Sequence, residues 1–231
     1  MTVVAAIIPA LDEEGCIAEV VEGIAPHVTH VIVVDNGSVD ATAERARAAG
    51  AVIVLEARRG YGRACLAGLL RARELGADVA LFLDGDGSDD PGDAPRLLEG
   101  VLGGRVDIAL GVRRRDRVEP GAMTPVQRFG NWLAPLLIRV AIGARYRDMP
   151  PFKACSIAAL DTLDLRDTGH GFTIELMMKA YLAKLRVVEV EVCCRVRRAG
   201  VSKVSGTARG ASRAAVKIVT TIARYAAARR R

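Results

Sequence analysis

Apolar residues in the first half of the chain fall in short unbroken runs, each followed by a segment with helical spacing. The runs at 3–9, 30–34, 51–55 and 79–83 are rich in Val, Ile and Ala, which predicts strands buried on both faces. Helices are predicted at 13–24, 40–49, 61–75 and 94–101, and a further strand at 107–111. Strands alternating with helices make a mostly parallel α/β sheet with helices on both faces. The second half is less regular. A helix is expected over 125–142, kinked at Pro135, then a loop over 147–154, a helix over 172–182 and a strand over 186–196. Thr207 is placed to cap a final helix, in which Ala211, Ala215, Ile218, Val219, Ile222 and Tyr225 share one face. With no repeat or linker in sight, the division expected is one domain over 1–205 and a basic amphipathic helix over 206–231.

In a parallel sheet ligands gather at the carboxyl ends of the strands, and here those ends are polar in a pattern. They read "PALDEE", "VDNGSVDAT", "LDGDGSDDP" and "GVRRRDR": three acidic ends and one basic end on one rim. The net charge of +6 is unevenly spread. Eleven basic residues and no acidic one follow Glu191, while acids outnumber bases before it. An acidic body with a basic tail points to an anionic partner for the tail. No segment reaches the ~18 apolar residues of a membrane span. The best candidate, 129–142, is broken by Pro135 and Arg139. Residues 3–11 lack a basic lead and run into Asp12-Glu13-Glu14, so they do not read as a secretory signal. The five cysteines form no Cys-x-x-Cys pair, which favours reduced, buried thiols and a cytoplasmic setting.

The densest chemistry is "LFLDGDGSDDP", with Asp84, Asp86, Asp89 and Asp90 inside seven positions. An EF-hand calcium loop fails on spacing, since Asp89 stands where Gly is needed and Pro95 where a bidentate Glu is needed. A divalent cation held by one or two carboxylates and a substrate's phosphates fits better. Gly85 and Gly87 are expected to let a bulky ligand approach the backbone, and Asp89 and Asp90 to start the next helix rather than bind metal.

The ordered motifs "IIPALDEEGCI", "VIVVDNGSVDAT", "LFLDGDGSDDP" and "GVRRR" resemble those of family 2 glycosyltransferases with the GT-A fold. Downstream, "QRFGNWL", "DMPPFKA", "GFTIELMMKA" and "RRAGVSK" are similar to motifs of dolichyl-phosphate mannose and glucose synthases and their bacterial polyprenyl-phosphate relatives. The resemblance implies an inverting, metal-dependent transfer of a hexose from a nucleotide sugar of the GDP-mannose or UDP-glucose type to polyprenyl or dolichyl phosphate. It implies that Pro9, Leu11 and Glu13 line the nucleoside pocket and that Asp35 reads the base. Asn36 stands where relatives often carry a second Asp, and Tyr61 where they often carry a phosphate-binding Lys. Asp84 and Asp86 match the pair that holds Mg²⁺ or Mn²⁺ beside the diphosphate, with Asp86 also counted as catalytic.

On the acceptor side, a sugar hydroxyl needs a general base, whereas a phosphate monoester with a second pKa near ~6 arrives ionised and needs orientation. By resemblance, Arg113, Arg128, Arg197 and Lys203 would clamp the acceptor phosphate, and Asp148 would act as base or orienting group. Glu175 is a second carboxylate candidate, and His170 a loop histidine with no assigned part. Many relatives carry C-terminal membrane spans, so the basic tail is expected either to lie on a membrane surface or to leave anchoring to a membrane-protein partner. The rival is that it packs on the domain as a solvated helix. Rival activities are transfer to a soluble hydroxyl acceptor and nucleotidyl transfer. Nucleic-acid binding by the tail is not expected, because the tail has one aromatic residue and no recognised motif.

Overall fold

The computed structural model describes residues 2–199 and 218–226. The strands are β1 (Val4–Ala10), β2 (His30–Asp35), β3 (Val52–Leu55), β4 (Val79–Phe82), β5 (Ile108–Val118), β6 (Lys153–Ser156) and β7 (Val187–Cys194). They form one sheet in the order β3-β2-β1-β4-β6-β5-β7. The first four neighbours are parallel, and β6 runs antiparallel to both β4 and β5. Helices α1 (Ile17–Ile24), α2 (Thr42–Ala48), α3 (Tyr61–Glu74) and α4 (Ala94–Leu102) make the crossovers, and α5 (Pro125–Ile142), α6 (Ile157–Leu163) and α7 (Phe172–Leu182) follow. Successive side chains of a strand point to opposite faces, so the unbroken apolar runs fill two cores at once. Ile7, Ile32 and Phe82 pack under α3 and α7, while Ile8, Val33 and Leu81 pack under α1 and α4. Among the described residues no helix is long and apolar enough to cross a membrane.

Two expectations about the strands need correction. The loop expected over 147–154 ends in β6, a four-residue strand that fills the sheet between β4 and β5. Pro150 and Pro151 disguised it, and Lys153 broke the apolar run. Strand β5 continues past 111 to Val118, leaving the core as a ribbon paired with β7. Arg114 pairs there with Glu191 across the strands, so charge replaces the apolar signal. Helix α5 runs through Pro135 to end at Gly143, whose φ of 86° is a left-handed cap that glycine adopts without strain.

The tail, expected either on a membrane surface or packed on the domain, packs over its described residues. The helical segment over 218–226 lies against the domain, with Thr221 and Ile222 buried. Tyr225 Oη donates to Glu175, Thr221 Oγ1 donates to Asp167 Oδ2 (3.4 Å), and Arg224 sits 3.8 Å from the same carboxylate. Ile218, Ile222 and Tyr225 of the expected apolar face pack on the domain, while Val219 stays 48% exposed. Thr207, Ala211 and Ala215 lie outside the described residues.

Candidate active site

Strand register brings the ends of β2, β1 and β4 together. Ala10 pairs with Asp35, and Ile7 pairs with Phe82, two residues before Asp84. Past β1 the chain turns at Asp12 (φ 52°), whose N–H donates to Ser38 Oγ (3.0 Å) while Val39 N–H donates to Asp12 Oδ1 (2.9 Å). Glu13 N–H donates to Thr42 Oγ1 (2.8 Å), and Asp35 Oδ1 accepts from Ser38 N–H (2.8 Å). Pro9, Leu11 and Asp35 therefore share one rim, locked by loop-to-loop hydrogen bonds. Buried Asn36 extends that lock: its Nδ2 donates to the Glu56 and Arg58 carbonyls (both 2.9 Å), and its Oδ1 accepts from Gly60 N–H (2.7 Å). An asparagine does here what an aspartate would not, because only the amide offers donors.

In "RRGYGRA" the backbone at the start of α3 is already engaged. Gly62 and Arg63 N–H, at the start of α3, donate to the Gly169 and Thr168 carbonyls (3.2 and 3.1 Å). Tyr61 packs edge-on against Phe172, 6.4 Å between ring centres. These positions hold two segments together.

At the end of β4 the acidic run closes on itself. Asp84 N–H donates to Asp89 Oδ2 (3.0 Å), and Ser88 N–H donates to Asp86 Oδ1 (3.0 Å). Asp89 is buried, turned back into the cluster, which corrects its expected place at a helix start. Asp90 keeps that place, accepting from Gly92 N–H (3.0 Å). The glycines are needed by the turn itself. A Cβ on Gly85 would press on Ile8, Ile17 and the Pro9 carbonyl inside the fold, and Gly87 supplies a left-handed φ of 74°. Gly85 gives room for the packing beneath the turn, and Gly87 gives the turn its backbone angle while lining the cavity beside it.

Crowding has an electrostatic signature. Burial, then Asp86 and Asp89, push the Asp84 carboxyl well above the usual range, with Lys153 and Arg113 pulling it partly back. Burial pushes Asp89 up to about 6. Among the described residues no side chain donates to the Asp84 carboxylate. A set of hard oxygen donors short of positive charge fits Mg²⁺ or Mn²⁺.

Two arginines reach the cluster's surroundings. Arg197 pairs with Asp86 (Nη1–Oδ2, 2.9 Å) and with Glu13 Oε1, and its Nε donates to the Ala199 carbonyl (2.8 Å). Arg113, on β5, forks onto Asp148 (Nε–Oδ2 2.7 Å, Nη2–Oδ1 2.8 Å). Asp148 also accepts from Arg113 N–H (3.1 Å) and Met149 N–H (2.7 Å). Four hydrogen bonds fill a carboxylate's lone-pair sites, so of the two parts expected for Asp148, base or orienting group, the geometry favours orienting Arg113. Arg128 lies exposed on α5, and Lys203 lies outside the described residues.

Glu175 is structural: fully buried, it accepts from Arg166 N–H (3.0 Å), Asp167 N–H and Tyr225, with Lys179 at 2.9 Å. His170 is exposed on the loop before α7. One residue went unnoticed in the sequence. Lys153 is fully buried, its Nζ donating to the Pro151 carbonyl (2.9 Å) and Thr173 Oγ1 (3.3 Å) over the Phe82 and Phe172 rings. Its positive charge is felt by both Asp84 and Asp89. A lone lysine inside "PFKACS" was the available signal. On the far side of Asp89, a cavity of about 460 Å³ opens between α1 and the 87–92 loop, where Arg195 and Arg198 are paired to Asp90 and Glu19.

Residues 5–161 match Glycosyl transferase family 2. The chain belongs to that family. An uncharacterized glycosyltransferase of Mycobacterium tuberculosis (strain ATCC 25618 / H37Rv) is 36% identical over 208 residues, 90% of this chain and 92% of that one. An undecaprenyl-phosphate mannosyltransferase of Micrococcus luteus is 33% identical over 189 residues, 76% of each chain. The crystal structure of Mycobacterium tuberculosis glucosyl-3-phosphoglycerate synthase with Mn²⁺ and UDP-glucose matches with a TM-score of 0.78 at 24% identity. It covers 98% of this chain and 79% of that one. This glycosyltransferase thus has the expected GT-A fold, and its acidic strand ends lie on the rim where such α/β sheets bind ligands.

Proposed function

We propose that this glycosyltransferase moves a hexose from a nucleoside diphosphate sugar to a polyprenyl phosphate, with inversion, using Mg²⁺ or Mn²⁺ held by Asp84 and Asp86. Pro9, Leu11, Glu13 and Asp35 would line the nucleoside side, with Pro9 and Asp35 set by the β1–β2 register and Glu13 by its N–H bond to Thr42. A bound divalent cation would offset the charge gathering on the nucleoside diphosphate leaving group. Arg197, already paired to Asp86 and Glu13, supplies a guanidinium for phosphate oxygens at the same place.

The acceptor class rests on one observation, the four hydrogen bonds that tie up Asp148. A hydroxyl acceptor needs a free base, and the carboxylate that matches that position is occupied in holding Arg113. A phosphate acceptor needs a fixed cation instead, and Arg113 is one, with Arg128 and Lys203 as further candidates. The undecaprenyl-phosphate mannosyltransferase relative supports the same reading. Such an acceptor sets the reaction at a membrane surface on the cytoplasmic side, whether the chain reaches it alone or through a membrane-protein partner.

The test incubates purified protein and Mn²⁺ with GDP-mannose or UDP-glucose, offering undecaprenyl phosphate in detergent or soluble phosphoglyceric acid. Sugar transfer to the lipid, lost in Arg113→Ala, is expected. Transfer to phosphoglyceric acid alone would replace the acceptor reading.

A further inference from the structure

Helix α5 turns an apolar stripe outward. Val126, Phe129, Trp132 and Val140 are 58, 58, 60 and 78% exposed, and their spacing sets them along one side of the helix. The opposite side gives Ala134, Ile138 and Ile142 to the core. The Phe129 and Trp132 rings lie 5.8 Å apart, so the two largest exposed apolar groups form one patch. A capping box at Thr124 and Gln127 fixes the helix start just before it. Contiguous exposed apolar surface of this kind marks an interaction site.

Charge selects the partner. Between Gly121 and Arg147 there is no acidic residue, and Arg128, Arg139 and Arg145 are exposed without an ion pair among the described residues. At 100° per residue, Arg128 and Arg139 lie within about 40° of Trp132 around the helix. Two copies of this face brought together would set arginine against arginine with no carboxylate to separate them. An anionic lipid surface instead offers phosphates to the arginines and acyl chains to the stripe. Interfacial helices take this form, apolar on one side and basic beside it, with aromatic rings at headgroup depth.

We propose that α5 docks the protein onto an anionic bilayer surface, its stripe entering the headgroup–acyl boundary and Arg128, Arg139 and Arg145 pairing with lipid phosphates. The segment over 218–226 does not offer such a face, because Thr221 and Ile222 are buried against the domain. The proposal stands on α5 itself and not on the acceptor assignment.

Trp132 is the chain's only tryptophan, so its fluorescence reports on the stripe directly. The full chain is titrated, without donor or acceptor, with phosphatidylglycerol–phosphatidylcholine vesicles and with phosphatidylcholine vesicles. Expected is a blue shift with the anionic vesicles, quenched by brominated acyl chains and reversed by salt, and little change with the neutral ones. Phe129→Ser is expected to weaken partitioning roughly 10-fold. Arg139→Gln with Arg145→Gln should weaken it roughly 30-fold, at about fivefold per charge. Should Phe129→Ser fail to fold, the wild-type titration and the arginine variant decide the matter. No shift with anionic vesicles, or a shift unchanged in these variants, would overturn the proposal. So would a blue shift that grows with protein concentration in the absence of lipid, which would assign the face to self-association.

Discussion

Glu175 and the Asp84–Asp89 pair are both carboxylates drawn into the edge of the core, yet their surroundings push them in opposite directions. Burial raises Glu175, but Tyr225, Lys179 and two backbone N–H groups outweigh it and hold the carboxyl below its ordinary range. Burial raises Asp84 and Asp89 as well, and neighbouring carboxylates add to it. The protein has completed the first site from its own residues and left the second short of positive charge. A completed buried charge holds structure together, whereas an incomplete one awaits a ligand.

The largest expected effect follows from the incomplete site. Asp84→Ala or Asp86→Ala should lower sugar transfer about 10³-fold, measured at saturating nucleotide sugar and Mn²⁺, with the protein still folded. The completed site should respond in the other currency, stability. Glu175→Ala should cost about 3 kcal/mol by urea unfolding, because Lys179 and Tyr225 lose their shared partner. Its pH dependence has a definite sign. A carboxyl lowered by folding contributes stability above its unfolded value of about 4.3, and the contribution is lost as pH falls through the lower folded value. Urea midpoints of the wild type should therefore drop below about pH 4.3 more steeply than those of Glu175→Gln.

Arg197 lies on the boundary between the two cases, a cation that partly completes the acidic cluster. Arg197→Gln should tighten Mn²⁺ binding by about 10-fold in calorimetry while impairing transfer, since a competing positive charge is gone. The smallest effect concerns Asp89. Asp89→Asn keeps an oxygen for Asp84 N–H and removes one like charge, so the metal-free protein should melt about 2–4 °C higher. A lower melting temperature would mean that the cluster is not under electrostatic strain.

Much of this was legible from periodicity. The strands from β1 to β4 announce themselves as apolar runs, and their polar ends locate the rim from the sequence alone. What hid was set by long-range pairing. Strand β6 is four residues long, follows two prolines and carries a buried lysine, so only its neighbours β4 and β5 make it a strand. Asp89 joins the cluster through a turn that residue spacing does not specify. Amphipathic helices show the same limit. The tail's basic composition pointed outward, yet Ile222 and Tyr225 pack on the domain, while α5 exposes Phe129 and Trp132. A pattern gives two faces, and only the packing of other elements says which one meets solvent.

The most direct test is a calorimetric titration of Mn²⁺ into wild type and Asp84→Asn, each with GDP-mannose or UDP-glucose present. The account predicts a single saturable site in the wild type that is lost in the variant, whose fold is unchanged. Equal Mn²⁺ binding by the two proteins would contradict it.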